Sequence, residues 1–311
     1  MNVLIVGAGA LGSLIGARLS KTKASVLLFS RDREHMEAIR RGGLNIEELD
    51  GTVRNYRLAT CFKPEELPRD TDLAIVLVKT YETHNALSSV RNIRSTSTVF
   101  LTLQNGIGNW ERIAEITGKE AVVAGTTAQG STLVGPGLIR HGGNGPTYLG
   151  ELSGQISDRV ARIVELFREA GLDAKPSDEV EKLIWEKLVV NVGINAITGL
   201  TGIRNGIIAE WQEATDLCRS AVEEAILVAA SKGFPLSMDM IERVIAVARA
   251  TARNRSSMGQ DVDNRKRTEI DAINGAVVRF GMEAGIPTPV NRTLTSLIKV
   301  LEAHYTGLNG S

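Results

Sequence analysis

The sequence predicts an α/β protein in which an N-terminal Rossmann-type doubly wound sheet is followed by a C-terminal all-helical domain. Three observations predict this fold. An apolar strand, a glycine turn and a helix-like stretch fill residues 2–20, apolar strand patterns alternate with helical ones as far as Pro176, and strand patterns then cease. We therefore expect two domains, over residues 1–176 and 177–311.

Composition narrows the class of protein but not its chemistry. The 311 residues are enough for two domains with cores, and 43% apolar with 23% charged residues is typical of a globular protein. Lys and Arg number 36, as do Asp and Glu, so no overall basic field favours nucleic acid or an anionic membrane. Uninterrupted apolar runs stay short of the roughly 20 residues of a membrane span. We expect neither a nucleic-acid nor a membrane partner.

Cysteine and histidine usage suggests neither a disulfide framework nor a zinc site. Cys61 and Cys218 are isolated, and the four histidines, at positions 35, 84, 141 and 304, show no ligand spacing. We expect no metal site. A charged start followed by an apolar segment is not seen, so a secretory signal is not expected and a cytoplasmic protein is.

The first turn carries a GxGxxG pattern between a strand and a helix. Gly7 permits the tight turn, Gly9 lets the backbone approach a pyrophosphate, and Gly12 permits close packing of helix and strand. The helix N-terminus offers N–H donors to the phosphates. The candidate dinucleotide-binding residues are Gly7, Ala8, Gly9, Ala10, Leu11 and Gly12.

The end of the second strand, residues 25–29, favours NADP as the cofactor. An acidic residue at this point would accept the ribose 2′-hydroxyl of NAD, but the chain continues Ser30-Arg31-Asp32. Arg31 can bind a 2′-phosphate through its guanidinium fork, and Ser30 can donate to it. Asp32 leaves NAD open, and a solvated turn is the alternative.

Two further strands end in polar residues. Residues 72–78 and 98–103 are mostly apolar, as expected of parallel strands covered on both faces, and they lead into Lys79 and Asn105. Because ligands bind beyond the carboxyl ends of such strands, both residues are site candidates. Residues 42–59 predict a hairpin at Asp50-Gly51, residues 125–149 an antiparallel extension of the sheet, and residues 172–174 a last edge strand.

The helical part begins with an apolar stretch, residues 183–205, that is too apolar all round for a surface helix. Lys187, Asn191 and Asn195 recur at spacings of four and therefore form one polar stripe on a buried helix. The stripe either pairs with protein groups or faces a polar ligand. Further helices are predicted over residues 213–231, 238–253, 264–284 and 293–303, and the polar segment at 254–261 is interpreted as a solvated cap or part of a site.

Five motifs together resemble the ketopantoate reductase family. They are GAGALG at Gly7, LVK at Lys79, QNGIG at Asn105, WEKLxxNxxxN at Trp185, and SSMxQDx(6)TEIDxxNG at Ser256, in that family's order and across nearly the whole chain. The resemblance implies reduction of the C2 ketone of 2-dehydropantoate with NADPH, giving pantoate. A cation beside the ketone oxygen would stabilise the developing charge and supply the proton.

By the same resemblance, Lys187 is the proton donor and Glu269 orients it and the substrate hydroxyl, and Glu269 also touches the cofactor. Lys79 and Asn105 would lie at the nicotinamide end of NADP. The residues expected to bind the keto acid are Asn105, Asn191, Asn195, Asn205 and Ser257.

The sequence leaves several alternatives open. Lys79 is the rival proton donor, and the shared amide stripe favours Lys187. A reductase of another 2-keto acid, an opine or 3-hydroxyacid dehydrogenase, or a non-catalytic NADP(H)-sensing protein would share much of the pattern. The apolar C-terminal helices cover each other or a second subunit, and we favour a homodimer.

Overall fold

The computed structural model describes residues 1–93 and 97–307, and the chain folds into two compact units. The first unit comprises Met1–Gln104 and Gly108–Leu183, and the second comprises Asn105–Ile107 and the chain from Ile184 onward. The division thus falls after Leu183 rather than after Pro176, and the three residues 105–107 belong to the second unit.

The first unit contains the strands. They are β1 (Asn2–Val6), β2 (Ser25–Phe29), β3 (Leu44–Glu47), β4 (Val53–Tyr56), β5 (Ala59–Cys61), β6 (Leu73–Val76), β7 (Val99–Thr102), β8 (Val122–Thr127), β9 (Gly130–Gly135), β10 (Leu138–Gly143), β11 (Thr147–Gly150) and β12 (Ala174–Pro176). Its helices are α1 (Ala10–Leu19), α2 (Arg33–Gly42), α3 (Thr83–Ser89), α4 (Asn109–Thr117) and α5 (Asp158–Glu169).

An eight-stranded sheet in the order β12-β11-β8-β7-β6-β1-β2-β5 forms the centre of this unit. β1 pairs in parallel with both β2 and β6, and parallel pairing continues through β7 to β8. Along β1, Val3 and Ile5 enter one hydrophobic core while Leu4 and Val6 enter the other. Burial on both faces explains the uninterrupted apolar runs and confirms the predicted doubly wound sheet.

The segment 125–149 was only partly predicted. β11 does extend the main sheet, antiparallel to β8. However, β9 and β10 join the predicted hairpin β3–β4 in a separate four-stranded sheet, β4-β3-β10-β9. The reason is burial: Leu44, Ile46 and Ile139 from this sheet lie in the same core as Leu14 of α1. One edge of α1 is thereby covered.

An ion pair also ties the second sheet to α1. The Arg18 guanidinium donates to both carboxylate oxygens of Glu48, at 2.8 and 2.5 Å, and to the Tyr56 hydroxyl at 2.6 Å. The hydrogen bond from Arg18 lowers the pKa of Glu48 to about 2, which outweighs the opposing effect of burial. The carboxylate therefore stays ionised at any ordinary pH.

The described part of the second unit is helical, as predicted. Its helices are α6 (Val180–Thr201), which starts in the first unit, α7 (Gln212–Ser231), α8 (Met240–Ala250), α9 (Ser257–Asp263), α10 (Asn274–Ala284) and α11 (Pro289–Thr306).

The continuous helix predicted over residues 264–284 is wrong. α9 ends in a Schellman motif, in which Lys266 N donates to Asp261 O at 2.8 Å and Arg265 N donates to Val262 O at 2.9 Å. Arg265 takes the left-handed conformation, with φ +52°, where glycine is usual. A 3-10 turn over Ile270–Ala272 then leads into α10.

Helix α6 is the core element of the second unit. Its length and hydropathy alone would suit a membrane span, but 61% of its most apolar window is buried inside the fold. Gly193 marks the tightest contact: a Cβ there would lie 2.8 Å from side-chain atoms of Val222 and Val244 and 2.9 Å from Cys218 Sγ. α6 therefore packs closely against α7 and α8 only because this residue lacks a side chain.

Replacement of Gly193 by alanine should destabilise the protein. Overpacking in such a contact costs about 1–3 kcal/mol, more than the ~1 kcal/mol gained from alanine's helix propensity. Gly199 of the same helix is the matched control, because its Cβ would approach Ile298 Cδ1 to 3.3 Å and Met258 Cγ to 3.4 Å. In urea denaturation, G193A should lower the free energy of unfolding and G199A should leave it unchanged or raise it. Equal stability of the two variants would contradict the close packing at Gly193.

Candidate functional site

The glycine turn between β1 and α1 has a separate structural reason for each glycine. Gly7 has φ +102°, and a Cβ on it would lie 2.5 Å from Val78 N. A Cβ on Gly12 would collide with the Gly7 carbonyl oxygen. Gly9 is exposed and faces open space, since a Cβ added to it would meet no atom of the described residues within 4 Å.

This open space lies at the start of α1. Gly9 occupies the N-cap position, so no side chain caps the helix, and its first turn carries no acidic residue. The first N–H groups of a helix lack intrahelical acceptors and carry positive partial charge. Gly7 N and Ala8 N donate to Phe29 O, at 2.9 and 3.0 Å, and so fix the turn against β2. The residues present fit the pyrophosphate of a dinucleotide.

Side chains at the end of β2 have partners that the sequence did not reveal. Arg31 forms an ion pair with Glu82, and their side chains are 57% and 35% exposed. The Asp32 carboxylate accepts from His35 N at 3.0 Å and caps α2. Asp32 N in turn donates to Ser30 Oγ at 3.2 Å. Asp32 was the residue that kept NAD possible as the cofactor. The capping hydrogen bond gives it a structural role instead.

Lys79 lies just beyond β6, at the start of the 3-10 turn Thr80–Glu82, as the strand pattern predicted. Gln104 fixes this region: its Nε2 donates to Val78 O at 2.7 Å and to Thr83 Oγ1 at 2.8 Å. This role of Gln104 was not predicted from the sequence. Its position two residues beyond the end of β7, next to the candidate Asn105, was the available signal.

In the second unit, Lys187, Asn191 and Asn195 lie on α6 as the predicted stripe. Lys187 is half-buried, and Glu269 is 7% exposed. Burial lowers the pKa of the Lys187 ammonium to about 8, and the negative charge of Glu269 raises it in partial compensation. A lysine with such a pKa can exchange a proton near neutral pH.

Two amides of the stripe are unusual because they are buried and unsatisfied. The Nδ2 atoms of Asn191 and Asn195 have no hydrogen-bond acceptor within residues 1–93 and 97–307. An unpaired buried N–H costs roughly 1–3 kcal/mol, so native proteins keep few of them. Of the two interpretations of the stripe, this geometry favours a polar ligand over contacts with neighbouring loops.

The end of the stripe meets the start of α9. Thr198 Oγ1 lies 2.7 Å from Ser256 Oγ, which accepts from Gly259 N at 3.0 Å and caps α9. Ser257 follows as the first helical residue and is exposed. The polar segment 254–261, interpreted as a solvated cap or part of a site, therefore contains the start of a short helix, and its capping serine, Ser256, was not among the predicted site residues. A serine directly before a helical segment is a common N-cap, and this was the signal in the sequence that could have identified Ser256.

Asn205 lies against the segment that connects α8 to α9. Its backbone N donates to Asn254 O at 3.1 Å, and its Nδ2 donates to Thr251 Oγ1 at 3.0 Å. Its Oδ1 is buried without a donor in the described chain. Asn205 thus offers a buried acceptor where Asn191 and Asn195 offer donors.

Arg255 connects the C-terminal end of α6 to α9 through hydrogen bonds, a role that was not predicted from the sequence. It donates to Thr198 O at 2.5 Å and to Ile203 O at 3.0 Å, beyond the last turn of α6. Its Nε and Nη2 bind both oxygens of Asp263, at 2.8 and 2.9 Å. The fork thereby fixes the end of α6 relative to α9.

Asn105 joins the second unit through its neighbours. Ile107 N donates to Ala272 O at 3.1 Å, and Gly106 has φ +81°, where an added Cβ would lie only 2.6 Å from that oxygen. Only glycine permits this approach. Half-buried Asn105 is thus held beside the 3-10 turn that follows Glu269.

A fully bonded asparagine of the same unit provides a comparison. Asn291 Nδ2 donates to Ala221 O at 2.9 Å and to Glu224 Oε2 at 2.7 Å, and its Oδ1 accepts from Asn274 Nδ2 at 2.9 Å. Glu224 also accepts from Val290 N and Asn291 N at the start of α11. This amide is structural, whereas the Nδ2 of Asn195 has no such partners in the described chain.

The two asparagines should respond oppositely to replacement by leucine. N195L removes an unsatisfied donor, so the free energy of unfolding should stay unchanged or rise by about 1 kcal/mol. N291L takes donors from a carboxylate and a carbonyl and should cost about 3 kcal/mol. Urea denaturation measures both, and a large loss of stability in N195L would show that Asn195 is structural.

Comparison with known proteins identifies the family. Residues 3–154 match the family described as Ketopantoate reductase PanE/ApbA, and residues 179–302 match its C-terminal counterpart. A relative from Halobacterium salinarum, named 2-dehydropantoate 2-reductase, is 36% identical over 302 residues, which cover 97% of this chain and 99% of the relative.

Solved structures agree with the sequence match. The PanE/ApbA family ketopantoate reductase from Ralstonia eutropha superposes with a TM-score of 0.90 at 29% identity, covering 98% of this chain and 100% of that one. A D-mandelate dehydrogenase solved with NADH and anilino(oxo)acetate gives a TM-score of 0.92 at 28% identity, with the same coverage. The match of both halves and the full-length relatives show that the chain belongs to the ketopantoate reductase family of oxidoreductases.

Proposed function

We propose that this protein reduces the C2 ketone of 2-dehydropantoate to pantoate with NADPH, a step of pantothenate synthesis. The observation that carries the proposal is the Lys187 ammonium, with its pKa lowered to about 8 beside Glu269, on a helix that also presents two amide Nδ2 atoms without acceptors in the described part of the chain. Relatives named 2-dehydropantoate 2-reductase, 30–36% identical over 97% of this chain, support the substrate. The free cysteines Cys61 and Cys218 suit the reducing cytoplasm.

The nucleotide would be held largely by the first unit. The turn from Gly7 to Gly12 would bind the pyrophosphate through backbone N–H groups, and Arg31 would bind the 2′-phosphate. Family resemblance assigns Lys79, Asn105 and Glu269 to the nicotinamide end. The cofactor, when bound, supplies the hydride.

Lys187 would supply the proton. As the C2 carbon gains hydride, negative charge develops on the ketone oxygen, and an ammonium stabilises that charge and then protonates it. With a pKa of about 8, roughly nine in ten Lys187 side chains are charged at pH 7. Glu269 keeps the ammonium charged and would orient the substrate hydroxyl.

The polar groups around Lys187 would fix the substrate. Asn191 and Asn195 offer N–H donors without protein acceptors among the described residues, and Asn205 offers an unpaired oxygen that suits a hydroxyl. Ser257, exposed at the first position of α9, would donate to the carboxylate.

One other substrate class is favoured by a specific observation. The D-mandelate dehydrogenase whose fold matches this one was solved with NADH and anilino(oxo)acetate. A reductase of bulky 2-keto acids would use the same proton donor, so the difference lies in the groups on C3.

The first experiment is oxidation of NADPH, followed by absorbance, with 2-dehydropantoate and a panel of 2-keto acids that lack its hydroxymethyl or methyl groups. NADH and benzoylformate are run in parallel. Rapid, NADPH-selective turnover of 2-dehydropantoate is expected. Preferred turnover of benzoylformate would instead assign the protein to the D-mandelate dehydrogenases. Nucleotide binding without turnover of any keto acid would indicate a non-catalytic NADP(H)-sensing protein.

Lys187→Ala should lower kcat by at least about 10²-fold, the usual contribution of a general acid, while NADPH binding persists. Lys182→Ala is the matched control, because Lys182 lies on the same helix and pairs with Glu179 at the surface. Near-normal turnover by K187A would rule out Lys187 and turn attention to Lys79.

The pH dependence of reduction should follow the Lys187 ammonium. The acid form is active, so kcat should be highest below the pKa of about 8 and fall as pH rises through it. Because the charge of Glu269 raises this pKa, E269Q should move the descending limb to lower pH. A limb that stays in place in E269Q would contradict coupling between the two residues.

A further inference from the structure

We propose that Glu82 is a cofactor-specificity residue, which competes with the 2′-phosphate of NADPH for the Arg31 guanidinium and so weakens discrimination against NADH. The inference rests on the proposed function in one respect, the assignment of Arg31 to the 2′-phosphate.

The placement of the pair supports this role. Arg31 follows β2 and Glu82 closes the 3-10 turn after β6, and these two strands flank β1 on either side. The pair therefore spans the strand that leads into the glycine turn, with all of its residues in the first unit. This is the side of the turn to which an adenosine ribose extends in a Rossmann fold.

The chemistry of the two nucleotides differs only at the ribose 2′ position. A carboxylate can accept a hydrogen bond from the 2′-hydroxyl of NADH, whereas it repels the 2′-phosphate of NADPH. Glu82 already gives Arg31 the anionic partner that the phosphate would otherwise provide. NADPH must therefore break the ion pair and bring a dianion close to the displaced carboxylate.

Two other acids near the end of β2 are engaged elsewhere. Asp32 is the next residue in sequence, but its carboxylate caps α2 by accepting from His35 N. Glu37 pairs with Arg33 one helical turn away, at 2.8 Å. Glu82 is thus the carboxylate that the structure pairs with Arg31, although it lies 51 positions along the chain.

The test compares wild type, E82Q and E47Q in calorimetric titrations with NADPH and with NADH, in the absence of any keto acid. Glu82→Gln should tighten NADPH binding about tenfold, since both the competing ion pair and the repulsion are removed. NADH binding should be unchanged or weaker. The ratio of the two dissociation constants should therefore shift toward NADPH.

Glu47→Gln is a closely matched control. Glu47 forms a surface pair with Arg140 in which the side chains are 31% and 57% exposed, against 35% and 57% for Glu82 and Arg31. E47Q changes the net charge by the same amount and should leave the nucleotide ratio unaltered. A shift of equal size in both variants would mean a general charge effect and would overturn the proposal.

Two further results would also overturn it. Weaker NADPH binding by E82Q would mean that Glu82 holds Arg31 in place for the phosphate, and an unchanged ratio would mean that the pair has no influence on cofactor choice. The alanine variant, E82A, repeats the measurement with a different side chain. Failure of the wild type to bind either nucleotide would instead overturn the proposed function, so the two failures are distinguishable.

Discussion

The burial of an ammonium group on helix α6 is the constraint on which the candidate site depends. Desolvation favours the neutral form of Lys187, and the carboxylate of Glu269 partly offsets that tendency, leaving a pKa of about 8. The carboxylate must therefore be held firmly near the helix. The Schellman motif at Arg265 and the 3-10 turn from Ile270 interrupt what would otherwise be one long helix, and Glu269 lies between them.

The two units offer different kinds of chemical group to a ligand. In the first unit the turn at Gly9 offers backbone N–H groups, whose positions are fixed by chain geometry and are independent of side-chain rotamers. In the second unit the candidate groups are side-chain amides such as that of Asn195, whose Nδ2 has no acceptor among the described residues, at a cost to stability of roughly 1–3 kcal/mol each. Such a cost is retained where a ligand completes the hydrogen bonds, whereas the structural amide of Asn291 is already complete.

Local patterns in the sequence were enough to predict the glycine turn, the parallel strands and the polar stripe of α6, because each depends on a spacing within one element. Other features were not predicted. β9 and β10 join a separate sheet because of the core that they cover, which involves distant residues, and Arg265, although its motif is local, adopts a conformation normally reserved for glycine. Likewise, the partner of Arg31 comes from the far side of β1. Whether a buried asparagine is satisfied is also decided only by tertiary contacts.

The brief passage of the chain through the second unit at Asn105–Ile107 has a consequence for modularity. Those residues are embedded in the sequence of the first unit, yet Ile107 N donates to Ala272 O of the helical unit. No single cut in the polypeptide can separate the two units intact. If residues 1–176 were transferred to another protein as one segment, residues 105–107 would be separated from the helical unit to which they belong. Recombination that exchanged the two units as separate modules would have to transfer the segment 105–107 together with the helices.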